Sequence, residues 1–134
     1  MANDTHLAVL KQGVAAWNQW RAAHAAVRPD FSSASLRSLD LAKVDLSGAD
    51  LRQADLRGAI LSAAVLIGAD LAGANFFKSV LDGADLFGAN LIGARFLNCA
   101  QLLASRNWQS AVRDPELDCG TTIPAPPADR GQGT

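Results

Sequence analysis

One column of this chain never breaks. Read in fives from position 31, each of fourteen successive centres is large and apolar: Phe31, Leu36, Leu41, Leu46, Leu51, Leu56, Leu61, Leu66, Leu71, Phe76, Leu81, Leu86, Leu91 and Phe96. Two residues before the centre the chain is small, as at Ala34, Ala49, Ala54, Ala59, Ala64, Ala69, Ala74, Ala84, Ala89 and Ala94. Leu39, Val44 and Ser79 depart from this, and Pro29 opens the first unit. Asp or Asn stands just before the centre in nine of the fourteen units, and Gly stands two residues after it in seven. The unit is Ala-Asp-Leu-x-Gly.

A period of five excludes an amphipathic helix, because apolar residues spaced by five would smear around a 3.6-residue turn. Small residue, Asp and Leu instead alternate in, out, in, as a short strand does. The next two residues suit a bend. Each unit is therefore predicted to be a three-residue strand and a corner, with Ala and Leu facing one axis. Such units wind into a β-solenoid whose coils pair at roughly 4.8 Å.

On these residues, Ala34 to Phe96 resembles the pentapeptide-repeat family. The resemblance implies an all-β solenoid, a right-handed quadrilateral β-helix with four units per coil. About three and a half coils are then expected over residues 31–103, with an N-terminal helix and a short C-terminal helix as caps. It says little about function, since one solenoid carries many different surfaces.

Residues 4–27 are read as one helix within an N-terminal cap, 1–30. Asn3, Asp4 or Thr5 caps it, Leu7, Leu10, Val14 and Trp17 form its apolar stripe, and Pro29 stops it. The run Gly13–Arg21, followed by Pro29-Asp30-Phe31, resembles a leader on some bacterial pentapeptide-repeat proteins. Covering the first coil is its expected role, because an open solenoid end exposes a Leu layer and strand edges. Trp17 and Trp20 could instead form a docking face.

The repeat slips by one residue after Phe96, at Ala100-Gln101-Leu102. Residues 104–113 are then expected to form a helix, with Trp108 as its plug, inside a C-terminal cap of 104–119. Residues 120–134 read as a disordered tail. A disulfide between Cys99 and Cys119 would clamp this cap to the last coil, whereas in a reducing cytoplasm both stay free thiols.

Twenty-residue stacking places Asp30, Asp50, Asp70 and Asn90 in one outer column. These positions follow the repeat consensus and gather no converging further ligands, so no calcium site is expected. Nominally outward positions turn apolar in the later units: Ile60, Val65, Ile67, Phe77, Val80, Phe87, Ile92 and Leu97. A contiguous exposed apolar patch marks a covered or interacting surface. These eight residues are the candidate face for a protein partner or a second copy of the chain.

No phosphate-binding loop, nucleophile elbow or Cys/His metal pattern is present, so no catalytic residue, metal or cofactor is assigned and no enzyme is expected. Twelve Lys and Arg balance thirteen Asp and Glu, which argues against direct nucleic-acid binding. Without a signal-peptide pattern or a membrane-length apolar run, the expected location is cytoplasmic. The reading is a non-catalytic interaction or scaffold module. The alternative comes from the resemblance alone: some pentapeptide-repeat proteins mimic duplex DNA, bind type II topoisomerases such as gyrase and protect them from drugs.

Overall fold

The computed structural model describes residues 2–120. Main-chain bridges join residues twenty apart at every fifth position: Asp30 to Asp50, Ser35 to Asp55, Asp40 to Ile60, Asp45 to Val65, and so on through Asn75 to Arg95. Four units therefore make one coil, and the coils stack in parallel. Strand pairing is reduced to one bridged residue per unit rather than the three-residue strands expected. The four sides are here numbered first (centres 31, 51, 71, 91), second (36, 56, 76), third (41, 61, 81) and fourth (46, 66, 86).

The consensus follows from where each unit's backbone N–H groups go. The centre donates to the next coil, as Leu51 does to the Asp70 carbonyl at 2.7 Å, and so does the residue two further on, Gln53 to Ala72 at 2.9 Å. The small residue turns back to the previous centre, Ala54 to Leu51 at 3.0 Å. The Asp position donates to the preceding coil, Asp55 to Ala34 at 2.9 Å. The N–H just after the centre is left over. In all nine Asp or Asn units the side-chain Oδ1 accepts it, at 3.0–3.2 Å. This is an Asx turn, and it explains why Asn75 and Asn90 serve as well as Asp. We expect Asp70→Ala to cost about 1 kcal/mol and Asp70→Asn almost nothing, as urea denaturation would show.

The Gly position has an equally local cause. The residue two after each centre, from Ser33 to Gly93, lies at φ of 56–72°, the left-handed region that closes the corner. Seven of these thirteen residues are Gly, the type that adopts this conformation without penalty.

Thirteen of the fourteen centres are at most 2% exposed. Phe96 is the exception and corrects the expected core. It lies in the left-handed region itself (φ 58°) and is 64% exposed, while Leu97, expected outside, is buried at 8%. The slip thus precedes Phe96 rather than following it. Phe96 leaves the inner column under Phe76 and packs edge-to-face on the outer Phe77, with ring centroids 5.4 Å apart.

The C-terminal segment then completes a fourth coil. Its bridges run Asp85 to Arg106 and Asn90 to Val112, twenty-one and twenty-two residues apart, so two residues have been inserted along the coil. The first helix after the repeat is Cys99–Ala104, earlier than the 104–113 expected, where only a 3₁₀ turn, Trp108–Ser110, is helical. Asn98 and Gln101 form its capping box, and the Gln101 amide also donates to the Phe76 and Ser79 carbonyls. Buried Leu102, Trp108 and Ala111 close the interior. Cys99 and Cys119 are joined in a disulfide rather than free, which ties the two ends of this capping segment.

At the other end the helix is split. We label Asp4–Lys11 α1, Val14–Ala23 α2 and the C-terminal Cys99–Ala104 α3. Gly13, at φ 115°, breaks the expected single helix between α1 and α2, and α2 ends at Ala23, ahead of the residue 27 expected. The first coil has no preceding coil to pair with, and side chains from these helices supply the partners. His6 Nδ1 accepts from Asp30 N–H at 3.0 Å and Asn18 Oδ1 from Asp45 N–H at 2.8 Å. Trp17 Nε1 donates to the Asp45 carbonyl at 2.7 Å, and Arg21 reaches the Ser47 carbonyl at 3.2 Å. Trp17 is fully buried, stacked on Trp20 and edge-on to Phe31.

Candidate interaction surface

The outer wall is set by the residues before and after each centre. On the third side Ile60 and Val80 are bridged across adjacent coils and are 39% and 38% exposed. On the neighbouring fourth side Ile67 and Phe87 stack at 40% and 55% exposed, linked by the Gly68 N–H to Phe87 carbonyl bond, with Val65 half-buried beside them. Phe77 (45% exposed) stands on the second side, and Ile92 lies apart on the first. Seven of the eight expected face residues thus reach the outer wall. Leu97 does not, and Phe96, read from the sequence as core, takes its place beside Phe77. The signal that would have found Phe96 is the later resumption of the repeat, which leaves the position of the slip undefined by one unit.

Ile60, Val65 and Val80 occupy the Asp position of their units. An apolar side chain there cannot accept the N–H after the centre, so these three units forgo the Asx turn that all nine Asp or Asn units make. Apolar side chains thus replace turn-stabilising ones where neighbouring exposed residues are also apolar.

The carboxylate columns are turned inward upon their own units. Arg52 clamps Asp50 with two hydrogen bonds at 2.9 and 2.7 Å, and Arg57 clamps Asp55 at the same distances. These guanidinium groups hold both carboxyls below the ordinary value. Asp30 is lowered mainly by the Ser32 N–H and Asp85 mainly by the Asn107 amide. Arg28 Nε donates to the Gly48 carbonyl, and its charge adds to the lowering of Asp50. Among the described residues no cluster of three or more His, Cys, Asp or Glu is gathered for a metal, and no helix is long and apolar enough to cross a membrane.

His6 is the buried ionisable group at the N-terminal end, 6% exposed between Trp17, Trp20 and Phe31. Because Nδ1 accepts a main-chain N–H, the ring there is neutral. Burial lowers its pKa; the Asp30 carboxylate partly opposes this and His24 adds to it. The folded state therefore binds the proton less readily than the unfolded chain. Stability is full above the ordinary value of 6.5 and falls as the pH drops below it. We expect the melting temperature to decline between about pH 6.5 and 5, and His6→Gln to flatten that decline. The Asp residues act only lower, beneath their ordinary 3.8.

Residues 30–99, just over half of the chain, match a family model described as pentapeptide repeats, in eight copies. No functionally curated protein matches. Among solved structures, a pentapeptide repeat protein from the Arabidopsis thaliana thylakoid lumen is 37% identical over 48% of this chain and 41% of its own, with a TM-score of 0.40. One from the cyanobacterium Cyanothece 51142 is 28% identical over 66% and 63%, with a TM-score of 0.35. HetL, from the cyanobacterium Nostoc, involved in heterocyst differentiation regulation, is 33% identical over 60% and 40%, with a TM-score of 0.29. The chain spans about two fifths to just under two thirds of these structures.

Proposed function

Because this chain belongs to the pentapeptide-repeat family, we propose that it is a non-catalytic interaction module. Its contact surface is the apolar outer wall of the later coils, and its partner is a protein or a second copy of the chain. The observation that carries this is the replacement of Asp by Ile60, Val65 and Val80, next to exposed Ile67 and Phe87. A solenoid wall needs none of these apolar groups outside, since its coils are already held by inner Leu layers.

The topoisomerase reading is less favoured on physical grounds. Mimicry of DNA needs a dense array of free negative charge, one per ~1.7 Å of axis. Here Asp50 and Asp55 are neutralised by Arg52 and Arg57, and four stacked coils span only about 19 Å. For location, a cytoplasm was expected from the sequence, and the Cys99–Cys119 bond favours an oxidising compartment instead.

Phe87→Glu tests the main reading. The side chain is mostly solvated, so the melting curve should stay within about 0.5 kcal/mol of wild type. Partner capture from a lysate of the source organism, or sedimentation for self-association, should be lost. A variant that unfolds would place Phe87 in the core and end the proposal, as would unchanged capture and sedimentation.

A further inference from the structure

The second side differs from the other three in charge. Arg37, Arg57, Lys78 and Arg95 stand on it against Asp55 alone. Asp30, Asp50 and Asp70 outnumber Arg52 and the nearby Arg28 on the first side; Asp40 and Asp82 outnumber Lys43 on the third; Asp45 and Asp85 are balanced by Arg106 and the nearby Arg21 on the fourth. The basic wall carries two shallow, open depressions. A depression of about 260 Å³ between Arg37, Arg57 and Phe77 continues into a second of about 460 Å³ against α3, and Phe77 and Lys78 line both.

The far end of this groove is apolar. Phe96 and Phe77 form an edge-to-face pair there, and Lys78 Nζ lies 5.4 Å from the Phe77 ring centre. Phe96 is held in the left-handed region, where a side chain is disfavoured, and is exposed. Local strain plus an exposed aromatic ring is a combination that folding alone does not favour.

We propose that this groove docks an acidic protein segment in extended form, with carboxylates along Arg37 and Lys78, Arg57 staying clamped on Asp55, and one apolar side chain against the Phe77–Phe96 pair. This rests on the interaction-module reading but places a distinct contact on the second side. A nucleic acid fits less well: its broader array of phosphates would reach the acidic first and third sides that a single extended peptide leaves uncovered.

The test is a fluorescein-labelled peptide, Asp-Glu-Asp-Glu-Leu-Phe, titrated by anisotropy, with labelled oligothymidylate as the competing class. The peptide should bind at low salt and weaken as salt screens the contact. The double variant Arg37→Glu/Lys78→Glu should lose about tenfold or more in affinity, with its melting curve preserved. Phe96→Gly should move two readouts in opposite directions, raising the melting temperature by relieving the backbone while lowering peptide affinity several-fold. Peptide affinity indifferent to all three substitutions overturns the proposal, and so does an absence of peptide binding at about millimolar concentration. Tighter binding of oligothymidylate assigns the groove to nucleic acid and overturns it too. Peptide binding lost in Phe87→Glu but kept in Arg37→Glu/Lys78→Glu overturns this groove while leaving the general interaction reading standing; loss of the Phe87 effect alone would do the reverse.

Discussion

Leu71→Asp is expected to abolish folding. Leu71 is fully buried at the centre of the third coil, its N–H bonded to the Asn90 carbonyl at 2.8 Å and its own coil stacked between those of Leu51 and Leu91. Losing a buried Leu costs about 2–5 kcal/mol in packing. A carboxylate in the same place adds desolvation without a partner, since the interior there is lined by Ala and Leu. Together these exceed what a domain with about 5–15 kcal/mol of stability survives. Each coil contacts only its neighbours, so a failed third coil also leaves the second and fourth without a face to stack on. Circular dichroism and a thermal melt read the result. Phe87→Glu is the internal control, because it brings the same charge to an outward position that is 55% exposed. A soluble Leu71→Asp protein with an unchanged melt would refute the register itself.

The interior was legible because the repeat couples every level of structure. A Leu at each fifth residue, an Ala two before it and a Gly two after it each answer a separate local requirement, and all agree on one coil geometry. The Asp position was less transparent. From the sequence it was an outward polar residue; the accounting of N–H groups shows it to be the acceptor that completes each turn. What lay hidden was where periodicity stops. Phe96 fits the fives as well as Phe76 does, and only the left-handed backbone at residue 96 turns it out and Leu97 in. Helix α3 was missed for a related reason: its start is set by the Asn98–Gln101 capping box, which lies inside what still scans as repeat. Gly13 was visible as a helix breaker, but the apolar stripe from Leu7 to Trp17 runs through it and suggested one helix.

The outer surface was legible in composition but not in grouping. The seven expected apolar residues that reach the outer wall fall on different sides, so they do not form one patch. Ile60, Val80, Ile67 and Phe87 occupy two adjacent sides, Ile92 the first, and Phe77 joins Phe96 on the second. The basic strip escaped notice because the net charge of the whole chain is −1. Only the twenty-residue stacking sorts Arg37, Arg57, Lys78 and Arg95 onto one side.

Trp17→Ala is expected to cost about 3–5 kcal/mol, the usual range for truncating a buried Trp, and to change the protein's state of association as well as its stability. Trp17 makes no exposed surface, packs on Trp20 and Phe31, and gives its indole N–H to the Asp45 carbonyl, an acceptor on the open edge of the first coil. Its loss leaves a cavity and an unpaired carbonyl together. Besides Trp17, the helices α1 and α2 are held by hydrogen bonds from His6, Asn18 and Arg21 and by buried Leu10, with Leu7, Val14 and Trp20 packed against the core, and the cavity left by Trp17 loosens this packing. Once they lift, the first Leu layer and a row of main-chain groups face solvent, which favours end-to-end pairing of coils. The expected result is a lower melting temperature with concentration-dependent assembly in sedimentation, and protection from both when Trp17→Phe keeps the packing but drops the indole donor. A Trp17→Ala protein that stays monomeric and melts like wild type would show that the N-terminal helices do not guard the solenoid end; a docking face at Trp17 is already excluded, because that side chain is fully buried.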